Sequence, residues 1–261
     1  MQTWGWFLGC GLAGIVFGIA VAADGDTEPG NRTRDVVERA QTKVVVLRTT
    51  RERLISDATG FLIGPRIVIT AGHAVRSGGR ATAWLNGVSY STSLLATHPD
   101  HDFAALELQA PSLLLKPLEL ADTSTDLRSG ESLVILAGAK QVGRGTGDPR
   151  QRVALPAVYQ NRVTLRLSNG KPGTLLKMDA SVERGDSGSP VIRVRDGQVV
   201  GVLSSRELPD ANGVSHTAFA APVETLRTWL ATLSPASVRD IAPPAAPRAD
   251  DEEFYLERLA K

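Results

Sequence analysis

Short apolar runs separated by turn residues dominate the chain from about residue 43 to residue 221. In the first half this pattern predicts six short strands, at 43–50, 58–63, 66–70, 81–86, 89–96 and 103–108. The second half predicts six or seven more, at 132–137, 152–160, 162–167, 175–178, 190–195, 198–204 and 215–220. The stretch from 111 to 130 has no clean period, so we interpret it as the connection between the two halves.

Two sets of about six strands predict an all-β fold of two six-stranded antiparallel β-barrels side by side, over about 41–110 and 131–221. Closure of each barrel removes the edge strands that would otherwise pair with other chains. After Pro222, five apolar side chains share one face of a predicted C-terminal helix over 223–233; they are Val223, Leu226, Trp229, Leu230 and Leu233.

The first 23 residues carry no charged side chain, and 4–21 is apolar or glycine throughout. Because Ala20-Val21-Ala22 is a small-x-small pattern, we predict a signal peptide over 1–22 and an exported, periplasmic or extracellular protein. The run is also long enough for a retained anchor in the inner membrane, which needs about 20 residues. A lipid-modified Cys10 is the third alternative.

Two further segments lie outside the predicted barrels. Residues 23–40 are polar and charged, which predicts a linker or a short leader ahead of the first strand. Residues 234–261 combine a Pro/Ala-rich linker with a charged tail. The tail is either a frayed amphipathic end or a peptide that docks on this or another protein.

The strongest chemical signal is the run GDSGSP at 185–190. A serine hydroxyl needs a base to take its proton, and it needs donors aimed at the oxyanion that forms on the attacked carbonyl. A glycine two residues before the serine permits a sharp turn, so the amides of Gly185 and Ser187 can point at one spot and form an oxyanion hole. An ordinary glycine-rich turn is the competing interpretation.

A histidine and an aspartate complete the candidate site. His73 ends the run IVITAGH at 67–73, and histidine suits proton transfer because its ordinary pKa is about 6.5. Asp102 directly precedes an apolar run, so its carboxylate can be buried against an imidazole and orient it; Asp100 is the competing carboxylate. Together with the serine motif, these residues predict a catalytic triad of His73, Asp102 and Ser187.

These motifs, in the order His, Asp, Ser, resemble the chymotrypsin-like (trypsin-like) serine peptidases over about 41–233. The spacings of 29 and 85 residues, and a single cysteine in the first apolar run, are more similar to the bacterial HtrA-type and glutamyl-endopeptidase branches than to the pancreatic enzymes. The resemblance implies a chymotrypsin-like fold and a serine endopeptidase that cleaves polypeptides without a cofactor. We expect no HtrA-type PDZ domain after Leu233.

One departure concerns Asp186, where HtrA-type enzymes usually have asparagine. The pancreatic branch pairs this aspartate with a newly cut N-terminus, and no similar activation peptide precedes residue 43. Three partners are open for Asp186, namely an arginine such as Arg184, a cluster of backbone amides or a processed N-terminus.

The resemblance also implies a specificity pocket with Ser181 near its base, Ser204 and Arg206 along one wall and Thr217 approaching from the last strand. No acidic residue lies at the base, so we expect cleavage after a small or medium uncharged residue rather than after Lys or Arg. An inward-turned Arg206 would favour an acidic residue instead, but we favour the interpretation in which Arg206 faces solvent.

Charge and composition disfavour other classes of function. A net charge of +1 provides no global field to recruit nucleic acid or an anionic membrane, so membrane contact is expected only if the first segment is retained as an anchor. His98 and His101 form a pair without a third ligand, so we expect no metal site. A basic stretch is interpreted as a polar barrel face; it contains Arg144, Arg150, Arg152, Arg162 and Arg166.

Two other functions remain beside the endopeptidase. A latent or inactive protease-fold module could bind polypeptides without turning them over, although all three triad candidates are present. An acyltransferase or esterase could use the same triad on a different substrate.

Overall fold

The computed structural model describes residues 29–51, 54–76, 80–109, 116–138, 153–167, 169–211 and 214–233. The predicted signal peptide, Cys10, residues 23–28 of the predicted linker, the tail over 234–261, and Arg144, Arg150 and Arg152 lie outside the described residues. Within the described part of the chain, no helix is long and apolar enough to cross a membrane.

The first half forms a closed antiparallel barrel, as predicted. Its strands are β1 (Val44–Arg51), β2 (Leu54–Leu62), β3 (Ile67–Thr70), β4 (Arg80–Leu85), β5 (Val88–Thr97) and β6 (Ala104–Leu108). The strand order is β1-β2-β3-β6-β5-β4, and pairing of β4 with β1 closes the barrel. A single turn of 3₁₀ helix, Gly72–Ala74, follows β3.

The second half forms another closed antiparallel barrel. Its strands are β7 (Ser132–Ala137), β8 (Val153–Arg166), β9 (Pro172–Val182), β10 (Pro190–Arg193), β11 (Val199–Arg206) and β12 (Ser215–Pro222), in the order β10-β11-β12-β9-β8-β7. The strands predicted at 152–160 and 162–167 are one strand, β8, because the ladder with β9 continues past an irregularity between Tyr159 and Asn161. Such an irregularity interrupts the alternation of apolar and polar residues without ending the strand.

Three apolar clusters explain why several strands are apolar on both faces. Val45 and Leu47 on β1 lie in the core of the first barrel, whereas Val44 lies in a cluster shared by the two barrels. Met178 on β9 belongs to the core of the second barrel. Successive residues of a strand point to opposite sides, so one strand can serve its own barrel and the interface.

The structure contains two helices in its described residues. Helix α2 (Val223–Thr232) follows the second barrel as predicted and buries Leu226 and Trp229 in the shared cluster. The linker predicted over 23–40 is wrong from residue 29 onward, because α1 (Pro29–Gln41) is a helix there. Val36 and Ala40, four residues apart, form its narrow buried stripe. Because the segment is otherwise mostly polar, two apolar positions were too few to predict a helix.

Candidate active site

A cavity of about 360 Å³ opens between the two barrels. The first barrel lines it with residues 56–58 and 73–74; the second barrel contributes 182–185, Ser187, Leu203, Ser205 and Arg206. The structure therefore brings His73 and Ser187 to one cavity from opposite barrels. Both were predicted from short motifs 114 residues apart in the sequence.

His73 and Asp102 meet because their strands are neighbours. Thr70 at the end of β3 pairs with Ala104 at the start of β6, so the residues just beyond each strand lie side by side. The backbone N–H of His73 donates to Asp102 Oδ1 at 2.8 Å, and Nδ1 of its ring lies 2.5 Å from Asp102 Oδ2. The competing Asp100 instead accepts a hydrogen bond from Lys171 at 2.6 Å.

The surroundings of Asp102 keep its carboxylate ionised. Burial raises the pKa of Asp102, but hydrogen bonds from the ring and backbone of His73, together with charge interactions with His73 and Arg76, hold the pKa below its ordinary value. Since Asp102 occupies Nδ1 of His73, Nε2 is the ring nitrogen that can accept a proton from a nucleophile. Within the described residues no hydrogen bond joins His73 to the Ser187 hydroxyl; such contacts often tighten only when substrate binds.

Two glycines with positive φ shape the loop that carries Ser187, between β9 and β10. Gly185 has φ of 96° and Gly188 has φ of 87°, a region that other residues rarely adopt. A Cβ at Gly188 would lie 2.1 Å from the carbonyl oxygen of Thr59 and 2.6 Å from the amide nitrogen of Ala71. The loop therefore lies directly against the backbone of the first barrel.

Hydrogen bonds orient the peptide groups around Ser187. The carbonyl of Asp186 accepts from Ser189, at 3.1 Å from its amide and 2.6 Å from its hydroxyl. Because the N–H and C=O of a trans peptide point in opposite directions, the Ser187 amide points away from Ser189. This orientation is compatible with the predicted oxyanion hole of Gly185 and Ser187.

Thr59, on β2, fastens the same loop from the other barrel. Its amide donates to the Ser187 carbonyl at 2.9 Å, and its hydroxyl donates to the Gly185 carbonyl at 2.9 Å. The hydroxyl also accepts from the Gly138 amide at 2.8 Å, and Thr59 is fully buried. Sequence reasoning missed this role, although a polar residue inside an apolar run was a usable signal.

Asp186 has a partner in its own loop. Its side chain is buried and accepts a hydrogen bond from the backbone amide of Glu183 at 2.7 Å. Of the three partners left open by the sequence, the structure shows a backbone amide.

The residues predicted for the specificity pocket separate into two groups. Arg206 is half-buried and lines the cavity, where its Nη1 donates to the Val182 carbonyl at 3.2 Å. The favoured interpretation, with Arg206 facing solvent, stays a prediction, because a half-buried side chain that lines an open cavity is also partly exposed. Ser205 lines the cavity in place of Ser204, because an irregularity in the pairing of β11 with β12 falls between Leu203 and Ser205. Such a bulge changes which side chains face the site.

The other two predicted pocket residues lie away from the cavity lining. The Ser181 hydroxyl lies 3.3 Å from Nδ1 of His216 on an exposed surface. Thr217 follows a second irregularity, in the pairing of β12 with β9, and its carbonyl accepts a hydrogen bond from Ser215 at 2.9 Å. The assignment of Ser181, Ser204 and Thr217 to a specificity pocket stays a prediction.

The histidine pair considered as a metal site serves packing. Nδ1 of His98 accepts the backbone N–H groups of Asp100 and His101, at 3.0 and 2.9 Å. Its ring packs edge-on against Phe103, with the ring centres 4.7 Å apart, and burial lowers the pKa of both histidines. In the described ranges, no group of three potential metal-binding side chains is found.

The described part of the basic stretch consists of Arg162 and Arg166. The guanidinium of Arg162 binds Glu224 at 2.7 Å, whereas that of Arg166 donates to the Gly170 carbonyl at 3.1 Å. Both arginines therefore have partners within the second barrel and α2.

Comparison with known proteins gives a consistent result. A family model described as the trypsin-like peptidase domain matches residues 58–202. The serine protease Rv3671c of Mycobacterium tuberculosis is 28% identical over 193 residues, which cover 70% of this chain and 45% of that protein. This chain therefore spans less than half the length of that relative. A trypsin of Phaedon cochleariae is 31% identical over 186 residues, covering 59% of this chain and 70% of that one.

Solved structures share the two-barrel fold. The crystal structure of the active form of Rv3671c superposes with a TM-score of 0.66 at 22% identity, covering 83% of this chain and 95% of that one. The HtrA-type protease AlgW, solved with a tripeptide, gives a TM-score of 0.66 at 19% identity, covering 78% of this chain and 64% of that one. At these identities the likeness establishes a chymotrypsin-like fold.

Proposed function

This chain belongs to the trypsin-like peptidase family, and from that premise we propose that it is a serine endopeptidase that hydrolyses polypeptides through an acyl-enzyme on Ser187. The observation that carries the proposal is that Ser187 and an Asp102-bound His73 line one cavity from opposite barrels. The low pKa of Asp102 supports it, because an ionised carboxylate is needed to stabilise the imidazolium.

The proposed reaction uses only groups of this chain and water. Ser187 Oγ attacks the peptide carbonyl while Nε2 of His73 takes its proton, and the amides of Gly185 and Ser187 bind the resulting oxyanion. His73 then gives the proton to the departing amine, which leaves an acyl group on Ser187. Water, deprotonated by His73, attacks this ester and releases the acid, and the proton returns to Ser187.

The first test is covalent labelling of the full chain with a fluorophosphonate probe, followed by intact mass. We expect one adduct on the wild type and none on Ser187→Ala, because labelling requires an assembled nucleophile, base and oxyanion hole. Ser187→Ala should also lose casein cleavage while its thermal unfolding stays nearly unchanged. Equal casein cleavage by the two proteins would contradict the assignment.

A double mutant tests whether the residues act as one unit. His73→Ala should lose as much turnover as Ser187→Ala, and the combined variant should be no worse than either, since removal of one triad member already leaves only residual catalysis. If the losses of turnover in the two single variants multiplied in the double mutant, a shared mechanism would be contradicted. A chain that binds polypeptides but takes up no probe would instead be the latent or inactive binding module.

We also propose that the protein acts outside the cytoplasm. The uncharged apolar segment that ends near Ala22 supports export, either with cleavage or as a retained anchor. N-terminal sequencing of the protein from a cell-envelope fraction tests this. A start near Ala23 indicates a cleaved signal, an intact start in the membrane fraction indicates an anchor, and recovery in the cytosol would contradict both.

A further inference from the structure

Asp102 lies on the short loop that connects β5 to β6. The ends of this loop are joined where Thr97 pairs with Ala104, and the backbone N–H of His98 donates to the Phe103 carbonyl at 2.9 Å. Between these points the chain must turn. The placement of the Asp102 carboxylate therefore depends on how that turn is held.

One ring atom, Nδ1 of His98, accepts two backbone bonds at the turn. They come from the N–H groups of Asp100 and His101, at 3.0 and 2.9 Å, and the second amide belongs to the residue next to Asp102. An imidazole nitrogen accepts only through its lone pair, so this Nδ1 carries no proton. The proton of the neutral His98 ring must then lie on Nε2.

Protonation of His98 removes this acceptor. A proton from water takes the lone pair of Nδ1, and the resulting imidazolium donates from both ring nitrogens and accepts at neither. Its new Nδ1–H would face two N–H donors at 3.0 and 2.9 Å, so the ring or the turn must move. Arg76 opposes a positive ring further, because its guanidinium lies 3.4 Å from the carbonyl oxygens of His98 and His101.

Packing holds the ring of His98 and still leaves it accessible to protons. Its centre lies 4.7 Å from that of Phe103 and 5.8 Å from that of Trp229 on α2. The ring also lines an open cavity of about 560 Å³ between the loop and α2. Charged and titratable groups surround it on its own loop, on the turn after β3, on α2 and just before β9; they are Asp100, His101, Arg76, Glu224 and Lys171.

These surroundings favour the neutral ring. Burial lowers the pKa of His98, His101 and Arg76 lower it further, and Asp100 raises it, so the pKa lies below its ordinary value. The neutral form is therefore the one that the folded chain stabilises. This stabilisation is complete above the unfolded value of about 6.5 and is lost as pH falls through the lower folded value.

We propose that His98 is a positioning residue for Asp102, and that protonation of His98 releases the loop and slows catalysis in acid. The inference rests on the proposed endopeptidase function and adds a pH-dependent regulation of the same site. His73 must also be neutral to take the proton of Ser187, so the rate falls in acid in any case. His98 adds a second proton to that fall.

The test measures the rate of fluorophosphonate labelling of the full chain from about pH 8 to about pH 4. Far-UV circular dichroism defines the range in which the chain stays folded. At the acid end the rate falls about 100-fold per pH unit when two protons inactivate the site, and about 10-fold when one does. We expect the steeper fall in the wild type. A fall of only about 10-fold per pH unit over the whole folded range would overturn the proposal.

Two variants of His98 separate the acceptor from the ring. His98→Phe keeps an aromatic ring against Phe103 but has no acceptor, so labelling at about pH 8 should slow by about 10- to 100-fold. His98→Asn places an amide oxygen, which does not titrate, close to the position of Nδ1. It should recover most of the rate lost in His98→Phe and fall only about 10-fold per pH unit. A steep fall that persists in His98→Asn would overturn the proposal.

His216→Asn is the matched control. It removes an exposed histidine on β12, whose ring lies 3.3 Å from the Ser181 hydroxyl and 3.7 Å from the Asp210 carboxylate, away from the Asp102 loop. It should keep the steep fall of the wild type. A shallow fall in this variant would show that the second proton does not belong to His98 and would overturn the proposal.

The protonation of the ring itself is measured by nitrogen–proton correlation NMR of the histidine side chains, with His98 assigned from the spectrum of His98→Asn. We expect the proton on Nε2 near pH 7, and a proton on Nδ1 there would overturn the proposal. Labelling of the wild type with a one-proton fall would refute the role of His98 and leave the endopeptidase standing. No labelling at any pH would refute both.

Discussion

The two barrels contribute to the site in different ways. The first barrel supplies His73 and Asp102, which bind each other beyond the ends of neighbouring strands of that barrel. The second barrel supplies Ser187, and two sets of bonds hold its loop. One set lies within that barrel, such as the bond from the Gly188 amide to the Leu203 carbonyl at 2.7 Å, and the other runs to Thr59 on the opposite barrel. The hydrogen-bonded pair of His73 and Asp102 is therefore held within one barrel, whereas the position of Ser187 depends on the interface as well as on its own barrel.

Substitutions at the interface and at the outer surfaces of the barrels should therefore have different effects. Each barrel has its own apolar core, and a third cluster joins them. A change at the interface should misplace Ser187 and the proposed oxyanion donors while both cores and the His73–Asp102 pair persist. A change at the outer surface of either barrel should affect stability alone.

Gly188→Ala should have the largest effect on the interface. The new Cβ would lie 2.1 Å from the Thr59 carbonyl oxygen, at a position with φ of 87°, so the backbones of the two barrels must move apart. We expect fluorophosphonate labelling to fall about 100- to 1,000-fold and the free energy of unfolding to fall by about 3 kcal/mol or more. Labelling rates and urea unfolding measure the two effects.

Gly130→Ala is the matched control, since Gly130 has φ of 84° but nothing within 4 Å of the added Cβ. Gly130→Ala should lower the free energy of unfolding by only the backbone strain, about 1–2 kcal/mol, and should be labelled at the wild-type rate. Equal labelling of the two variants would show that the close approach at Gly188 is not needed to place Ser187.

Thr59→Val should have a smaller, more selective effect. Valine keeps the shape but removes the hydroxyl, so the Gly185 carbonyl and the Gly138 amide lose their shared partner. We expect kcat to fall about 100-fold with little change in KM, the size expected when one oxyanion donor is misplaced. Steady-state kinetics on a peptide substrate provides the measurement.

Two further variants test whether the loss of the Thr59 hydroxyl causes the fall in kcat. Thr59→Ser restores the hydroxyl and should recover most of kcat, whereas a purely structural role of the methyl group would not be rescued. Thr92→Val removes a hydroxyl that donates within the first barrel, to the Ala81 carbonyl at 2.9 Å, and should keep the wild-type kcat. A similar loss in Thr92→Val would refute a specific role for the bond between the barrels.

Local patterns explain what could be predicted from the sequence. The alternation of β strands, the turn glycines and the motifs around His73 and Ser187 are encoded within a few neighbouring residues. They therefore predicted both barrels and the residues that share the cavity. Asp102 was predicted over Asp100 for a similar reason, because it adjoins the apolar strand β6.

The errors of prediction have a different origin. Helix α1 buries only Val36 and Ala40, because both pack into the apolar cluster shared by the two barrels. The other members of that cluster are distant in the sequence, so the residues near α1 do not predict its burial. The cavity lining contains Ser205 and not Ser204 or Thr217, and the irregularities on β11 and β12 beside these residues depend on the partner strands. The role of Thr59 requires contacts across 126 residues of sequence.

The smallest predicted effect lies away from the interface, where Glu224 fastens α2 to the second barrel. Its carboxylate accepts from the Ser124 hydroxyl at 2.8 Å and pairs with Arg162 at 2.7 Å. Burial raises the pKa of Glu224, but hydrogen bonds from its own backbone, Ser124 and Arg162 outweigh burial and leave the pKa below its ordinary value. A lowered carboxyl pKa stabilises the fold above the unfolded pKa of about 4.3, and this stabilisation is lost as pH falls through the lower folded value.

Glu224→Gln should therefore lower the free energy of unfolding by about 1–2 kcal/mol at pH 7, with the deficit shrinking below pH about 4. Urea unfolding at pH 7 and pH 3 measures this, and a deficit that is the same at both pH values would refute the role of ionisation. The control is Glu107→Gln on the first barrel, because the ion pair of Glu107 with Arg66 is longer, at 3.5 Å. This substitution should lower the free energy of unfolding by less than about 0.5 kcal/mol. Neither glutamate is bonded to the loop that carries Ser187, so fluorophosphonate should label both variants at the wild-type rate at pH 7. A slower rate in Glu224→Gln would show that the framework of the second barrel, as well as Thr59, places Ser187.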